Sequence, residues 1–544
     1  MQTLAKHVSS RVTPQSRPIP GKRQAENSAG GYSYNLDCWS RLERFLILGS
    51  EGGTYYVGEQ QLTADNANVV IECGKTDAIR AVETIAAISE LGRAPKNDPA
   101  IFALALLASQ QDQGYLRHRA LAAMPRVCRT ATHLFQFVAN CKELRGWGRG
   151  LREAVAAWYN AKPADKLAYQ VTKYRNRAGY THRDVLRLSH PKTTDSQRNA
   201  IYRWLTHGTL PEAYTNGRSA GFAVAYGGQA LALIAGFNEI NKLGTADEKA
   251  AIQLIQNYGV TLEHVPNTLL GNPKVWDALL PNLPPTAMIR NLGKMTSVGL
   301  LKPLSLATKL VCDTLTNKER LKGARVHPLS ILIAADTYGS GHGVKGSLTW
   351  QPVPQITAAL EDAFYAAFDT VEPTGKRHLL ALDVSGSMGW EHLAGTHLDA
   401  RKASACMSMV TQKVEPQTHV VGFSHELVPV DISKRKGLNG VIQAIEQIPM
   451  GGTDCALPMI YALKNRLEVD AFVVYTDNET WAGHIHPSQA LMQYRQATGI
   501  NAKLIVVGMT ATGFTIADPN DAGMLDVVGF DASCPALMAD FIRN

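Results

Sequence analysis

Near residue 370 the hydrophobic rhythm of this chain changes period, and that change constrains the fold more than any other feature. From about residue 40 to 365, apolar side chains recur at helical spacing. Beyond 370 they come in short aliphatic runs, "HLLAL" (378–382), "HVVGF" (419–423), "AFVVYT" (471–476) and "AKLIVVG" (502–508), separated by helical stretches. Such alternation builds a parallel sheet with helices on both faces. The expected fold is therefore multidomain, α-helical first and α/β, doubly wound, afterwards. A chain of 544 residues is long enough for both. The divisions expected are a flexible N-terminal arm (1–30), rich in Pro, Gly and Ser, a helical domain (31–369) and an α/β domain (370–544). The junction falls at "EPTGKR" (372–377).

Within the helical part, Asp98-Pro99 predicts a capped helix start with proline at the first helical position. Ile79, Val82 and Ala86 predict an apolar stripe ended by Gly92. "ATHLFQFVANCKEL" (131–144), "ADKLAYQVTKYRNR" (164–177), "EKAAIQLIQNYG" (248–259) and "ALEDAFYAAF" (359–368) continue the pattern. Many helices of similar length with short breaks suggest stacked pairs, a solenoid, although no strict repeat is visible. The Gly/Ala-rich stretch 207–236 fits this pattern less well.

Charge divides along the same boundary. From residue 370 onward there are 13 Lys+Arg against 18 Asp+Glu, a formal −5, and the remainder holds 42 against 29, a formal +13. A basic large part suggests a polyanionic partner, and a well-solvated surface explains it equally well. The longest apolar runs are too short to span a bilayer, and the N-terminus lacks a signal-peptide core. Eight scattered cysteines with no C-x-x-C pair indicate neither a zinc module nor a disulfide framework, so a reducing cytoplasmic location is expected.

One constellation carries inorganic chemistry. Asp383, Ser385 and Ser387 follow the first strand, Thr453 sits in a Gly-Gly-Thr-Asp loop, and Asp477 ends "AFVVYT". Ligands of parallel sheets bind beyond the carboxyl ends of the strands. All five side chains offer oxygen, which suits a hard cation: Mg²⁺ first, Mn²⁺ or Ca²⁺ as alternatives. The set resembles the metal-ion-dependent adhesion site of von Willebrand factor A domains. Other chemistries fit poorly. An aspartyl phosphatase needs a second Asp where Ser385 stands, and "GHGVKGS" reverses the order of a phosphate-binding P-loop. "VSGSM" is no nucleophile elbow, no histidine is placed to activate a serine, and a two-metal nuclease needs more carboxylates. No enzyme is expected. His484 and His486 read as loop or surface residues.

The segment 164–192 is the most informative of the basic half. Lys166, Lys173 and Arg177 fall on one face of a predicted first helix that Gly179 ends. Thr181 and Asp184 resemble a capping box for a second helix bearing Arg183, Arg187 and His190, with Val185, Leu186 and Leu188 able to face inward. These groups could line up phosphates, and an exposed solenoid face explains the spacing as well. Arg145, Arg149, Arg290 and Lys294 share that ambiguity.

Long stretches, among them "VTKYRNRAGYTHRDVLRLSHPK" (171–192), "IRNLGKMT" (289–296), "VEPTGKRHLLALDVSGSM" (371–388) and "IPMGGTDCALPMI" (448–460), make the chain similar to the Ro autoantigen (TROVE) family, as a bacterial or phage member. The resemblance implies a closed ring of HEAT-like helical repeats followed by a von Willebrand factor A domain. It implies an RNA-binding protein of small noncoding Y RNA particles, with Y RNA on the outer ring surface and single-stranded 3′ ends of misfolded RNA in the central hole. RNA quality control, in some cases with an exoribonuclease, is the implied role. Lys173, Arg177 and His190 match positions tied to Y RNA binding, with Lys166, Arg183 and Arg187 as neighbours. The alternative is a metal-dependent protein-adhesion module, its protein ligand unknown, with the helical part as scaffold.

Overall fold

The structure, a computed structural model, describes residues 12–210, 221–344, 346–368, 372–390, 392–393, 398–430 and 437–544. Of residues 221–227 and 429 it describes the backbone alone. The expected domain junction at 369–370, residues 1–11 of the arm and 211–220 of the Gly/Ala-rich stretch lie outside the described residues.

Helices from Cys38–Leu48 to Pro354–Ala366 form the first part. Short polar residues start them: Asp77, Thr130, Asp195 and Ser305 each accept a hydrogen bond from a first-turn amide. Gly92 closes the helix Ala78–Leu91 with φ of 69°, as expected. The helix at Asp98-Pro99 is displaced by one residue, since Asn97 is its cap and Asp98 its first residue. Ile79 is exposed, and the buried stripe of Ala78–Leu91 is Ala81, Val82, Ile85, Ala86 and Ile88. From the Gly/Ala-rich stretch, Gly221–Ile240 is helical with a kink at Gly228, whose φ is 61°.

The last helices return to the first. Arg325 Nε donates to Glu90 O at 2.6 Å and His327 Nε2 to Arg93 O at 2.9 Å, across more than 230 residues of chain. That contact closes the helical circuit into a ring. A cavity of about 970 Å³ lies at the seam, lined by residues of both ends of the array.

The strands are β1 (Gln24–Glu26), β2 (Tyr32–Asn35), β3 (Asn176–Arg177), β4 (Tyr180–Thr181), β5 (His378–Asp383), β6 (Thr418–Phe423), β7 (Leu427–Pro429), β8 (Ala471–Thr476), β9 (Lys503–Gly508), β10 (Phe514–Thr515) and β11 (Met524–Val528). The main sheet runs β11-β9-β8-β5-β6-β7, parallel except for β7 at one edge. Four of its strands match the aliphatic runs. β7 and β11 were not expected, β7 being three residues long and β11 a half-buried edge with Asp526 at its centre. One sheet face, with Leu380, Leu382, Val473 and Tyr475, packs into the same core as the helices, and Leu379, Ala381, Phe472 and Val474 form a second core on the other.

Of the expected arm, residues 12–30 are laid along the α/β domain. β2 pairs with β1 and with β10. Gln15 is fully buried; its amide donates to Asp454 Oδ1 (2.7 Å) and Ile485 O (2.8 Å), and its Oε1 accepts from Thr480 Oγ1 and Gly483 N. His486 is buried rather than a surface residue, with Nε2 donating to Arg17 O at 2.8 Å. The strap that covers it comes from a segment more than 450 residues away, which no local pattern announces. His484 is exposed, as expected.

Candidate metal centre and nucleic-acid interface

β5 and β8 are neighbours at the point where the sheet's strand order reverses, so Asp383 and Asp477 leave adjacent strand ends into one crevice. Gly386 N donates to Gly451 O at 3.2 Å, joining the Ser385–Ser387 turn to the loop that carries Thr453. Thr453 O accepts from the amides of Trp481 and Ala482, which fixes that loop against the one after Asp477. All five expected residues are thus brought together, and all are buried.

Their bonds leave room for a cation. Asp383 Oδ1 accepts from Ser385 N (2.9 Å) and Oδ2 from Thr476 Oγ1 (2.6 Å). Ser385 and Ser387 hydroxyls stand 3.2 Å apart. Asp477 Oδ1 accepts from Glu479 N, and its Oδ2 is buried without a partner among the described residues. Burial and the charge of Asp477 push Asp383 up to about 7. Burial likewise raises Asp477. Two buried carboxylates side by side, one with an orphaned oxygen, fit an oxygen-ligated divalent ion, which supplies the missing positive charge. Among the described residues no cluster of three or more His, Cys, Asp or Glu side chains offers a different donor set. Exposed Trp390, Met450 and Trp481 follow or belong to these loops, and Tyr55 of the helical part packs edge-on against Trp390 at 6.3 Å.

The basic segment departs from its expected secondary structure. The first helix spans Ala164–Lys173 and stops before Arg177, which lies on β3 of a hairpin. Ala178 and Gly179 turn it with φ of 50° and 77°, and Arg177 faces Tyr180 across it. Two positive φ values match the twist of paired strands, and Gly179 supplies one without a Cβ penalty. Lys166, Lys173 and Arg177 therefore do not share one helical face. The second helix, His182–Ser189, has the expected capping box: Asp184 Oδ2 accepts from Thr181 N (2.9 Å) and Oγ1 (2.6 Å). His190 is its left-handed C-cap, with φ of 48°. Leu188 is 38% exposed and does not face inward.

Arg177, Arg183, Arg187 and His190 are exposed and have no ion-pair partner among the described residues. Lys166 is exposed, with Asp165 at 3.8 Å. Lys173 is mostly covered, and its Nζ stands 2.8 Å from Glu263 Oε1 and from Tyr169 Oη. Beneath the second helix, buried His182 donates from Nε2 to Tyr174 O (2.9 Å) and accepts from Tyr159 Oη at Nδ1 (2.7 Å). Burial lowers its pKa to about 4, so the imidazole is a neutral peg under the basic face. Glu263, Tyr169 and His182 had no visible signal; Glu263 lies 90 residues from the lysine it meets. Arg149 pairs with Glu153, whereas Arg290 and Lys294 line the seam cavity with Arg129 and Arg325.

A family model described as the TROVE domain matches residues 25–226 and 248–340, and one described as the Ro60 vWA domain matches 377–542. "RNA-binding protein RO60" of Deinococcus radiodurans is 42% identical over 546 residues, covering 100% of both chains. "RNA-binding protein RO60" of Caenorhabditis elegans is 36% identical over 587 residues, covering 96% of this chain and 90% of that one. The crystal structure of the Deinococcus radiodurans RO (RSR) protein superposes with a TM-score of 0.68 at 42% identity, covering 93% of this chain and 99% of that one.

Proposed function

The chain belongs to the Ro60 family of TROVE-domain proteins, and from that premise we propose that it is a non-enzymatic RNA-binding protein of small noncoding RNA particles. RNA binding is the property its relatives are named for. The finer reading is that a folded, Y-like RNA lies on the outer ring surface around Arg177, Arg183, Arg187 and His190. Single-stranded 3′ ends of misfolded RNA enter the ring, where Arg290 and Lys294 line the cavity. The biological role is RNA quality control in the cytoplasm, with an exoribonuclease as a partner.

The observation that carries this reading is the exposed guanidinium set on one hairpin and one capped helix, unpaired among the described residues. Cations already paired with carboxylates contribute little field to draw a phosphate in, whereas these keep their charge for a ligand. The test is anisotropy of a labelled hairpin RNA over a salt series. Arg183→Glu with Arg187→Glu should weaken binding at least tenfold and flatten the log–log salt slope by ~0.7–0.9 for every phosphate no longer neutralised. Unchanged affinity and slope remove this face from the site.

The metal centre supports a second reading, capture of a protein partner. Asp383, Ser385, Ser387, Thr453 and Asp477 would hold Mg²⁺, whose outward face takes further oxygen ligands when bound. The exposed side chains of Trp390, Met450 and Trp481 beside it favour a protein ligand. Asp383→Ala should abolish partner capture and leave hairpin-RNA affinity unchanged.

A further inference from the structure

Lys173, unlike Arg177, Arg183 and Arg187, does not stand free. Its side chain is 12% exposed, and Nζ is 2.8 Å from Glu263 Oε1. Tyr169 Oη accepts from the same ammonium at 2.8 Å, and the rings of Tyr169 and Tyr174 lie 5.1 and 5.3 Å from it. The carboxylate is held but less enclosed, its side chain 33% exposed. Glu263 sits in a single helical turn, Leu262–His264, and Thr261 Oγ1 donates to its Oε2 at 3.2 Å. Beneath that turn, His264 Nδ1 accepts from Thr261 N at 3.1 Å and its ring packs on Phe237, so the turn has little freedom to carry Glu263 away.

A lysine so held contributes almost no net field to the surface, because the pair is neutral. Yet it lies at the end of the helix that leads directly into the Arg177 hairpin. We propose that Glu263 is an internal stand-in for phosphate: it occupies Lys173 in the free protein and is displaced when a phosphate of the bound RNA takes its place. The proposal rests on the RNA-binding reading above and adds to it the residue that tunes affinity. Arg177, Arg183 and Arg187 attract the strand with no ion pair to break among the described residues. Lys173 joins only when a ligand fixed by those three brings a phosphate to within reach, so the latch sets how tightly a correctly docked RNA is finally held.

Glu263→Gln keeps the shape of the side chain and removes its charge. The full-length protein and a labelled hairpin RNA serve as probes, with wild type, Glu263→Gln, Lys173→Ala and the double variant compared over a salt series. Removing a carboxylate near RNA strengthens binding in any background, so the diagnostic quantity is the difference between backgrounds. Glu263→Gln should tighten binding about fivefold with Lys173 present, and distinctly less once Lys173 is alanine. Lys173 should also become accessible to an amine-acylating reagent in Glu263→Gln, and RNA should protect it. Equal gains in both backgrounds, or weaker binding by Glu263→Gln, would overturn the latch while leaving the RNA face standing. If wild type shows no salt-dependent affinity for the hairpin, the RNA reading falls first and the latch with it. Glu263→Ala, read the same way, guards against a variant that perturbs the turn.

Discussion

The Arg93 guanidinium grips Asp531 with two nitrogens, Nε at 3.0 Å and Nη2 at 2.5 Å from Oδ2, and thereby ties the first helices of the ring to the last loop of the α/β domain. Glu43 takes the same Nη2 at 2.9 Å, and Arg93 O receives His327 Nε2 where the ring closes. One residue therefore joins the ring seam, the first helix and the second domain. Asp531 is almost wholly buried, so Arg93→Ala strands a carboxylate. The expected cost is about 3 kcal/mol, and Asp531→Asn in the same chain should recover part of it. Urea unfolding of Arg93→Ala, Asp531→Asn and the double variant measures this, and additive effects would show that the pair is not coupled.

Metal removal should reverse the stability order of wild type and Asp477→Asn. In chelator, Asp383 and Asp477 repel one another in a buried crevice, and Asp477→Asn relieves that repulsion. Its thermal midpoint should then equal or exceed that of wild type. In millimolar Mg²⁺ the order should reverse, since only wild type gains the binding free energy of the ion. A wild-type midpoint that ignores Mg²⁺ and Mn²⁺ alike would remove the cation from this site.

Four histidines should make the fold acid-sensitive in a defined window. Burial is the first cause that brings His133, His182, His264 and His327 down to about 4. Unfolded histidine titrates near ~6.5, so between that pH and 4 the unfolded chain binds protons that the native protein refuses. The contribution of these four is therefore complete above pH 6.5 and falls as pH drops towards 4, by up to ~1.4 kcal/mol per pH unit for each histidine. His182→Gln should flatten that slope in urea titrations between pH 7 and 4.5. An unaltered slope would place the proton uptake elsewhere.

The convergence of Asp383, Ser385, Ser387, Thr453 and Asp477 was legible because these residues sit in short motifs at strand ends, where chain direction alone brings them together. The basic segment was half legible. Residue types marked the exposed arginines, but helical spacing carried through "KYRNRAG" hid a hairpin whose turn uses Ala178 in a left-handed conformation that alanine rarely adopts. Charge pairing was not legible at all. Lys173 and Glu263 meet through the fold, as Gln15 meets Thr480, and neither pairing leaves a periodic trace.

On the proposed reading the seam cavity takes a single-stranded tail while the hairpin stays outside, and charge reversal there tests that division. Arg290 and Lys294 line it with Arg129 and Arg325, and Asp98 is the one carboxylate of its lining among the described residues. Burial first and Arg325 second lower Arg129, while the Glu90 carboxylate, which is bonded to Arg126, opposes them only in part. On the proposed reading such a site would attract an anionic strand entering the ring and would not reach a compact hairpin held outside. Arg290→Glu with Lys294→Glu should therefore weaken an RNA with a single-stranded 3′ tail and lower its salt slope by ~0.7 for each tail phosphate released, while the blunt hairpin binds as before. Anisotropy with the two RNAs decides the matter: parallel losses for both would mean that tail and hairpin share one surface.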